Sequence, residues 1–177
     1  MTSWDDQPTI LTVSGIFFPF LDPKPEHINI VDIAHGLSMT CRFAGQIRAF
    51  YSVAEHSVSV SQICDSSVAR WALLHDASEA YLPDMPRPMK RCLPDFRAME
   101  HRIQKAICEC FDLPIEEPAE VKRADLVMLA TEGRDLCAPG WEWQDLPNRP
   151  LLAKIEHPFG PLAARNAFLT RYHELFS

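Results

Sequence analysis

The segment Leu73–Arg91, LLHDASEAYLPDMPRPMKR, constrains the fold of this chain more than any other segment does. His75 and Asp76 stand side by side in an apolar run, Glu79 follows one helical turn later, and prolines then interrupt the segment. A buried carboxylate and a buried imidazole are costly unless other groups compensate them. Adjacent residues on a helix point about 100° apart, so His75 and Asp76 can serve one site only if the edge between them faces it. The other ligands of such a site must come from other helices. The segment therefore predicts a helical domain packed around a polar site.

Apolar residues recur at spacings of three and four through much of the chain, which predicts about six helices. The sharpest start signal is Ser52–Glu55, a capping box S-x-x-E that opens a helix carrying His56. We expect Asp65–Ser67 to cap the next helix, which holds the His-Asp pair and continues to Pro83. The other predicted helices begin near Asn29, Asp95 and Pro118 and after Pro161.

The domain organisation follows from these helices and from the prolines around them. Residues 1–28 are a proline-rich arm, with a short strand or hairpin expected around Ile10–Phe18. We place the helical core at roughly residues 29–138, and a C-terminal loop and helix at 139–177. The loop carries Trp141 and Trp143, which we interpret as packing or interface residues. The pattern of helices along the 177 residues thus predicts an all-α fold, a single helical bundle of about six helices.

Composition excludes several classes of function. The chain has 17 basic and 24 acidic residues, and its formal net charge of −7 argues against a surface built for the backbone of DNA or RNA. No run is long and apolar enough for a membrane span, and the first residues lack the pattern of a signal peptide. The six cysteines form no CxxC pair, so we interpret them as reduced thiols and expect a cytoplasmic protein.

Two further residues could complete a metal site around His75 and Asp76. His56 lies on the preceding predicted helix, and Asp125 lies on an otherwise apolar helical face, where an ion could compensate its burial. Two imidazoles and two carboxylates suit one ion of Mn, Co, Zn, Fe or Ni, with Mg less favoured by the histidines. His35 is the competing histidine ligand. We therefore expect one divalent ion, with open positions for water and a substrate oxygen.

The order H…HD…D, together with SVAEHS, HDASEAYLPDMPRPMK and VKRAD, resembles the HD superfamily of metal-dependent phosphohydrolases. The similarity is to bacterial 5′-deoxynucleotidases and to compact phage deoxynucleoside triphosphate triphosphohydrolases. The resemblance implies that His56, His75, Asp76 and Asp125 bind the metal, and that Glu79 and Asp84 are catalytic acidic residues. Arg42 and Phe43 match an Arg-aromatic pair that approaches the substrate, with Phe where the family is expected to carry Trp. Arg87 and Lys90 are nearby cations that could neutralise phosphate.

The resemblance implies a nucleotide phosphohydrolase. We expect removal of the 5′-phosphate from deoxyribonucleoside 5′-monophosphates by attack of a metal-activated water. One alternative is hydrolysis of a deoxynucleoside triphosphate such as dATP to the deoxynucleoside and tripolyphosphate. An alternative of another class is a non-catalytic HD domain that binds a nucleotide as a regulator. The expected partners are a small nucleotide and further copies of the chain in a dimer or larger homo-oligomer, in the host cytoplasm if the protein is phage-encoded.

Overall fold

The computed structural model describes residues 8–139 and 150–177, and most of these residues are helical. They form seven α-helices: α1 (Ile30–Met39), α2 (Val53–Ile63), α3 (Ala69–Leu73), α4 (Arg87–Lys90), α5 (Pro94–Cys110), α6 (Ala119–Leu136) and α7 (Pro161–Phe176). Three short 3-10 helices lie at Pro25–His27, Arg42–Gly45 and Ala77–Ala80. The all-α prediction is confirmed, whereas Trp141 and Trp143 lie outside the described residues. Within the described ranges, no helix combines the length and apolar character needed to cross a bilayer.

The helices pack around two adjoining apolar clusters. In the larger cluster, α7 packs against α1, α2 and α3, and the buried side chains include Ile33, Leu37, Leu73, Ile107 and Phe168. The smaller cluster lies where α6 meets α2 and α3, and it contains Val60, Trp71, Cys108, Val121 and Met128. Burial of these side chains stabilises the arrangement by about 25 cal/mol per Å² of apolar area removed from water. The polar groups considered below therefore lie on a packed helical scaffold.

The proline-rich arm contains the expected hairpin. Strands β1 (Thr9–Leu11) and β2 (Phe17–Pro19) pair antiparallel, with Ile10 opposite Phe18. Ser14, at the tip, donates its backbone N–H and its hydroxyl to the buried Asp32 carboxylate at 2.8 and 2.6 Å. Because an unpaired buried carboxylate would be costly, this contact attaches the hairpin to the first turn of α1.

Two predicted helix starts are confirmed by their capping bonds. Asn29 caps α1 by accepting from the backbone N–H of Val31, and Ser52 caps α2 by accepting from that of Glu55. The Glu55 side chain does not complete the box, however. It accepts instead from the backbone N–H of Phe159 at 2.8 Å, and so connects α2 to the segment before α7.

Two other predicted caps are wrong. The residue before α3 is Val68, which makes no side-chain capping bond, so the segment 65–67 does not cap the helix. In α5, Asp95 lies inside the first turn, because the helix already begins at Pro94. Proline lacks an N–H and its φ is preset for a helix, so it favours the first helical position over a cap one residue later.

The predicted continuous helix from residue 68 towards Pro83 is also wrong, and the break falls on the His-Asp pair. α3 ends at Leu73, and Leu74 and Asp76 have ψ angles of 9° and 16° instead of helical values. The N–H of Ala77 bonds to the carbonyl of Leu74, and that of Glu79 bonds to the carbonyl of Asp76, which are i→i−3 contacts. Because a 3-10 turn has three residues, side chains at positions i and i+3 lie one above the other. This winding places Glu79 above Asp76.

A glycine on α1 allows close approach of the 3-10 helix Ala77–Ala80. A Cβ at Gly36 would lie 2.6 Å from the carbonyl oxygen of Ala80 and 2.8 Å from its Cα. Both atoms are backbone, so a larger side chain could not be accommodated without moving the 3-10 helix. The contact holds the segment that carries Glu79 against α1.

Candidate metal centre

The four predicted metal ligands lie close together between α2, α6 and the turn that follows α3. Ligand atoms of His56, His75 and Asp125 all lie within 4.8 Å of one another, and these three residues could hold a metal ion. Asp76 lies beside them, with its Oδ2 atom 3.1 Å from Nε2 of His75 and 3.7 Å from Nε2 of His56. The broken helix makes this possible, since it turns two adjacent residues towards one point.

The outer nitrogens of both imidazoles have partners. Nδ1 of His56 lies 2.5 Å from Oε1 of Glu132, and Nδ1 of His75 lies 2.7 Å from the carbonyl oxygen of Ala72. Each Nδ1 can therefore donate its hydrogen, which leaves Nε2 as the ligand atom in a neutral ring. The two Nε2 atoms lie 3.2 Å apart. Two facing lone pairs repel unless a proton or a cation compensates them, so the donor set fits a divalent ion.

Glu132 is a residue of the site that sequence reasoning missed. It lies seven residues after Asp125 on α6, is fully buried, and accepts from Nε of Arg42 at 3.0 Å as well as from His56. Burial alone would raise the pKa of Glu132, but the positive charge of Arg42 and the contact with His56 outweigh it and lower that pKa. The i, i+7 spacing from Asp125 is the one signal in the sequence that could have indicated it.

The pKa values of His75, Asp76 and Asp125 are shifted because these side chains and His56 lie close together. Burial alone would lower the pKa of His75, but the Asp76 carboxylate outweighs burial and raises it to about 9. Burial alone would raise the pKa of Asp125, but its contact with His56 at 3.6 Å and the charges of both histidines hold it well below its usual range. The same balance, dominated by His75, holds the pKa of Asp76 well below its usual range. Protons on the imidazoles thus compensate the carboxylates where a divalent ion otherwise would.

The two predicted catalytic carboxyl groups, Glu79 and Asp84, both interact electrostatically with Asp76 of this cluster. Glu79 is 6% exposed; its Oε1 accepts from Lys90, and its Oε2 is buried without a partner among the described residues. Burial, then the negative charges of Asp76 and Asp84, raise the pKa of Glu79 well above its usual range. Burial also raises the pKa of Asp84, although the charge of Arg42 opposes the rise. A raised pKa favours the protonated form of a carboxyl group, which is the form that a general acid needs.

Arg42, predicted to contact substrate, makes its contacts within the protein to two carboxylates. Arg42 is 8% exposed and pairs with Glu132. Its Nη1 atom lies 3.4 Å from Oδ2 of Asp76. The next two residues, Phe43 and Ala44, have φ angles of 56° and 51°. Left-handed backbone is strained for residues with a Cβ, and most of all for bulky ones, and such strain concentrates at functional sites. The turn directs the guanidinium inwards and leaves the Phe43 ring half-buried, 5.6 Å from the Arg42 Cζ atom.

The other predicted substrate cations also pair with carboxylates. Nη2 of Arg87 lies 3.5 Å from Oδ2 of Asp125, and its side chain is 51% exposed. Lys122, a cation not predicted, donates to the same oxygen at 3.4 Å. Lys90 lies between Glu79 and Glu100. His35 lines a different cavity, of about 360 Å³, together with Asp32 and Tyr81.

Comparison with known proteins identifies relatives but no activity. The chain is 44% identical over 168 residues to the uncharacterized protein YfdR of Escherichia coli, and the match covers 94% of each chain. It is 40% identical over 122 residues to an uncharacterized protein of Rhodobacter capsulatus, covering 63% of this chain and 62% of the relative. No family model matches the chain.

Proposed function

We propose that this chain, which belongs to the same family as YfdR of Escherichia coli, is a divalent-metal-dependent phosphohydrolase that acts on nucleotides. The observation that carries the proposal is the pair of imidazole Nε2 atoms, 3.2 Å apart, beside the carboxylates of Asp76 and Asp125. A structural cluster would not need both imidazoles to turn Nε2 towards one point while Nδ1 is bound to an acceptor behind the ring. The resemblance of the H…HD…D pattern to HD-superfamily phosphohydrolases supports the same reading.

The residues His56, His75, Asp76 and Asp125 would hold the ion. When bound, a divalent ion polarises a phosphoryl oxygen and lowers the pKa of a water molecule, which is the chemistry that hydrolysis of a phosphate ester requires. The mixed nitrogen and oxygen donors suit Mn, Co, Zn, Fe or Ni better than Mg. Glu132 and the carbonyl of Ala72 orient the two imidazoles from behind.

The neighbouring carboxyl groups supply the proton steps. Attack of water at phosphorus breaks the bond to the 5′ oxygen, which must receive a proton as it leaves. Glu79 is buried and its pKa is raised well above the usual range, which favours the protonated form that a general acid needs in order to donate to this oxygen. Asp84, whose pKa is also raised, is the second candidate for the proton transfer or for orienting water.

Deoxyribonucleoside 5′-monophosphates are the first proposed substrates, through the family resemblance. One observation favours the triphosphate alternative, in which the products are a deoxynucleoside and tripolyphosphate. Two partly exposed cations, Arg87 and Lys122, lie within 3.5 Å of the Asp125 carboxylate of the site. A chain of three phosphates can use more cations than a single phosphate can, because each carries its own negative charge.

A phosphate-release panel tests the proposal. Deoxyribonucleoside mono- and triphosphates are incubated with the protein and Mn²⁺, Co²⁺, Zn²⁺ or Mg²⁺, and phosphate and tripolyphosphate are measured separately. We expect metal-dependent hydrolysis that Asp76→Asn abolishes and that His101→Ala, an exposed histidine on α5, does not. Nucleotide binding without hydrolysis under every metal would favour the regulatory alternative.

The same resemblance supports a homo-oligomeric, cytoplasmic protein whose partner is a small nucleotide rather than a nucleic acid polymer or a membrane. Light scattering of the purified protein measures the oligomeric state directly. A monomer at all concentrations would contradict this part of the proposal.

A further inference from the structure

The ammonium group of Lys90 lies between two glutamate carboxyl groups from different parts of the chain. Its Nζ atom is 3.2 Å from Oε1 of Glu79 and 2.5 Å from Oε1 of Glu100. Lys90 belongs to α4 and Glu100 to α5, whereas Glu79 belongs to the 3-10 helix beside the metal centre. One lysine therefore connects a residue of the candidate active site to a residue outside it.

The three side chains are sheltered from water, which strengthens their interaction. The exposed fractions of the side chains are 5% for Glu79, 21% for Lys90 and 24% for Glu100. Exposed ion pairs contribute little, because water screens them and both side chains lose freedom. In this sheltered position screening is weaker, and the charged hydrogen bonds hold the flexible lysine stem in one place.

The orientation of Glu79 depends on this lysine. Among the described residues, Lys90 makes the only side-chain hydrogen bond to Glu79, and the other carboxyl oxygen of Glu79 is buried without a partner. Lys90 itself has a four-carbon stem that one contact would fix poorly. Glu100 supplies a second contact to the same ammonium group.

We propose that Glu100 is a positioning residue, which holds Lys90 against Glu79 and thereby fixes the Glu79 carboxyl group beside the metal centre. The inference rests on the proposed function, because Glu79 matters only if the site is catalytic. It also revises the expected role of Lys90. The ammonium group already contacts two carboxyl groups, so its first task is to orient Glu79 rather than to bind phosphate.

Steady-state kinetics separate these two roles of Lys90. A residue that orients the proton donor acts on the transition state, so its loss lowers kcat and leaves KM nearly unchanged. A residue that binds the substrate phosphate equally well in both states changes KM instead. Glu100→Gln removes the charge that holds Lys90 and keeps the shape of the side chain.

The experiment compares the wild type, Glu100→Gln and Glu109→Gln with the panel substrate that the wild type hydrolyses fastest. Glu109 is a matched control, since it pairs with Lys105 at 3.7 Å on the same helix but in an exposed position. We expect Glu100→Gln to lower kcat about ten- to a hundredfold, the range that misplacement of a catalytic group can cause, with KM within about twofold. Glu109→Gln should match the wild type, and metal content should be unchanged in both variants.

A double-mutant cycle with Glu79→Gln completes the test. If Glu100 acts through Glu79, Glu100→Gln should add no further loss of kcat once Glu79 is replaced. A second readout is independent of activity: acetylation of Lys90 by acetic anhydride, followed by mass spectrometry, should be faster in Glu100→Gln than in the wild type.

The possible failures are distinguishable. A wild-type protein that hydrolyses no nucleotide would overturn both the proposed function and this inference. An active wild type with unchanged kcat in Glu100→Gln, or with a raised KM alone, would overturn the positioning role and leave the proposed function standing. If Glu100→Gln lowers kcat by the same factor in the Glu79→Gln background as in the wild type, the positioning role is also overturned, because Glu100 would then act independently of Glu79.

Discussion

Oε1 of Glu132 lies 2.5 Å from Nδ1 of His56, and this contact determines which ring nitrogen of His56 faces the candidate metal centre. Both side chains are fully buried, on α6 and α2, and they are separated by 76 positions in the chain. A carboxylate behind a ligand histidine fixes the ring and increases the basicity of the other nitrogen. The relationship makes the buried glutamate part of the site, although it is not itself placed to bind the ion.

Replacement of this glutamate should weaken metal binding without removing a ligand. Glu132→Gln keeps the size of the side chain but loses its charge, so we expect the affinity for Co²⁺ to fall about ten- to a hundredfold. Isothermal titration of the metal-free protein measures it. Glu120→Gln, at the opposite end of α6, is the control and should bind as the wild type does. Equal affinities in the two variants would show that the contact does not support the metal centre.

The ligand set predicts which histidines are needed for metal. His56→Ala, His75→Ala and Asp125→Asn should each reduce bound Co²⁺ well below one ion per chain, because each removes an atom of the cluster. His35→Ala should retain the ion, since His35 lines a separate cavity. Metal analysis after gel filtration measures the content, and the rise in Tm on adding Co²⁺ gives a second measure. Loss of metal in His35→Ala with retention in His56→Ala would contradict the assignment.

Metal affinity should rise with pH. In the metal-free protein the pKa of His75 is raised to about 9, so between pH 7 and pH 9 this imidazole carries a proton that the ion must displace. The apparent affinity for Mn²⁺ should therefore increase by about tenfold per pH unit over this window and level off above it. Titrations at several pH values measure the slope. A pH-independent affinity from pH 7 to pH 9 would show that no proton is exchanged for the ion.

The acidic pair should affect turnover rather than metal content. If Glu79 and Asp84 act on the leaving oxygen or on the attacking water, Glu79→Ala and Asp84→Ala should each lower kcat by roughly 10²–10⁴. Both variants should keep the metal content of the wild type. Glu116→Gln, an exposed position in the loop before α6, is the control. Full activity in both acidic variants would leave a metal site without its chemistry and would favour the regulatory function.

Arg42 should contribute to stability as well as to binding. Arg42→Ala leaves the buried Glu132 carboxylate without its cation, and loss of one partner of a buried ion pair typically costs about 3–5 kcal/mol. Urea denaturation should show a free energy of unfolding lower by about that amount. The control is Arg48→Ala, an exposed arginine whose side chain donates to the carbonyl oxygen of Asp135 and pairs with no carboxylate among the described residues. An unchanged free energy of unfolding in Arg42→Ala, with only a raised KM, would restore the original expectation of a simple phosphate ligand.

Much of the helical framework was determined locally and could be predicted from sequence. Asn29 and Ser52 cap helices because their own side chains reach backbone groups two or three residues away. Pro94 and Pro161 begin helices because proline suits the first helical position. Asp125 could be recognised because it interrupts an apolar face, between Val121 and Met128, that the smaller cluster buries.

The partners of the site residues depended on the tertiary structure. Glu132 meets Arg42 across 90 positions and His56 across 76, and no local spacing encodes such contacts. The break after Leu73 was not predictable from periodicity, because the apolar spacing continues through it. It occurs where close packing against Gly36 and the convergence of His75 and Asp76 on one point outweigh helical propensity. The sequence alone thus set the residue types and the approximate positions of the longer helices. Which carboxylate orients which histidine, and which lysine holds Glu79, were decided only when distant helices packed and excluded water from between the charges.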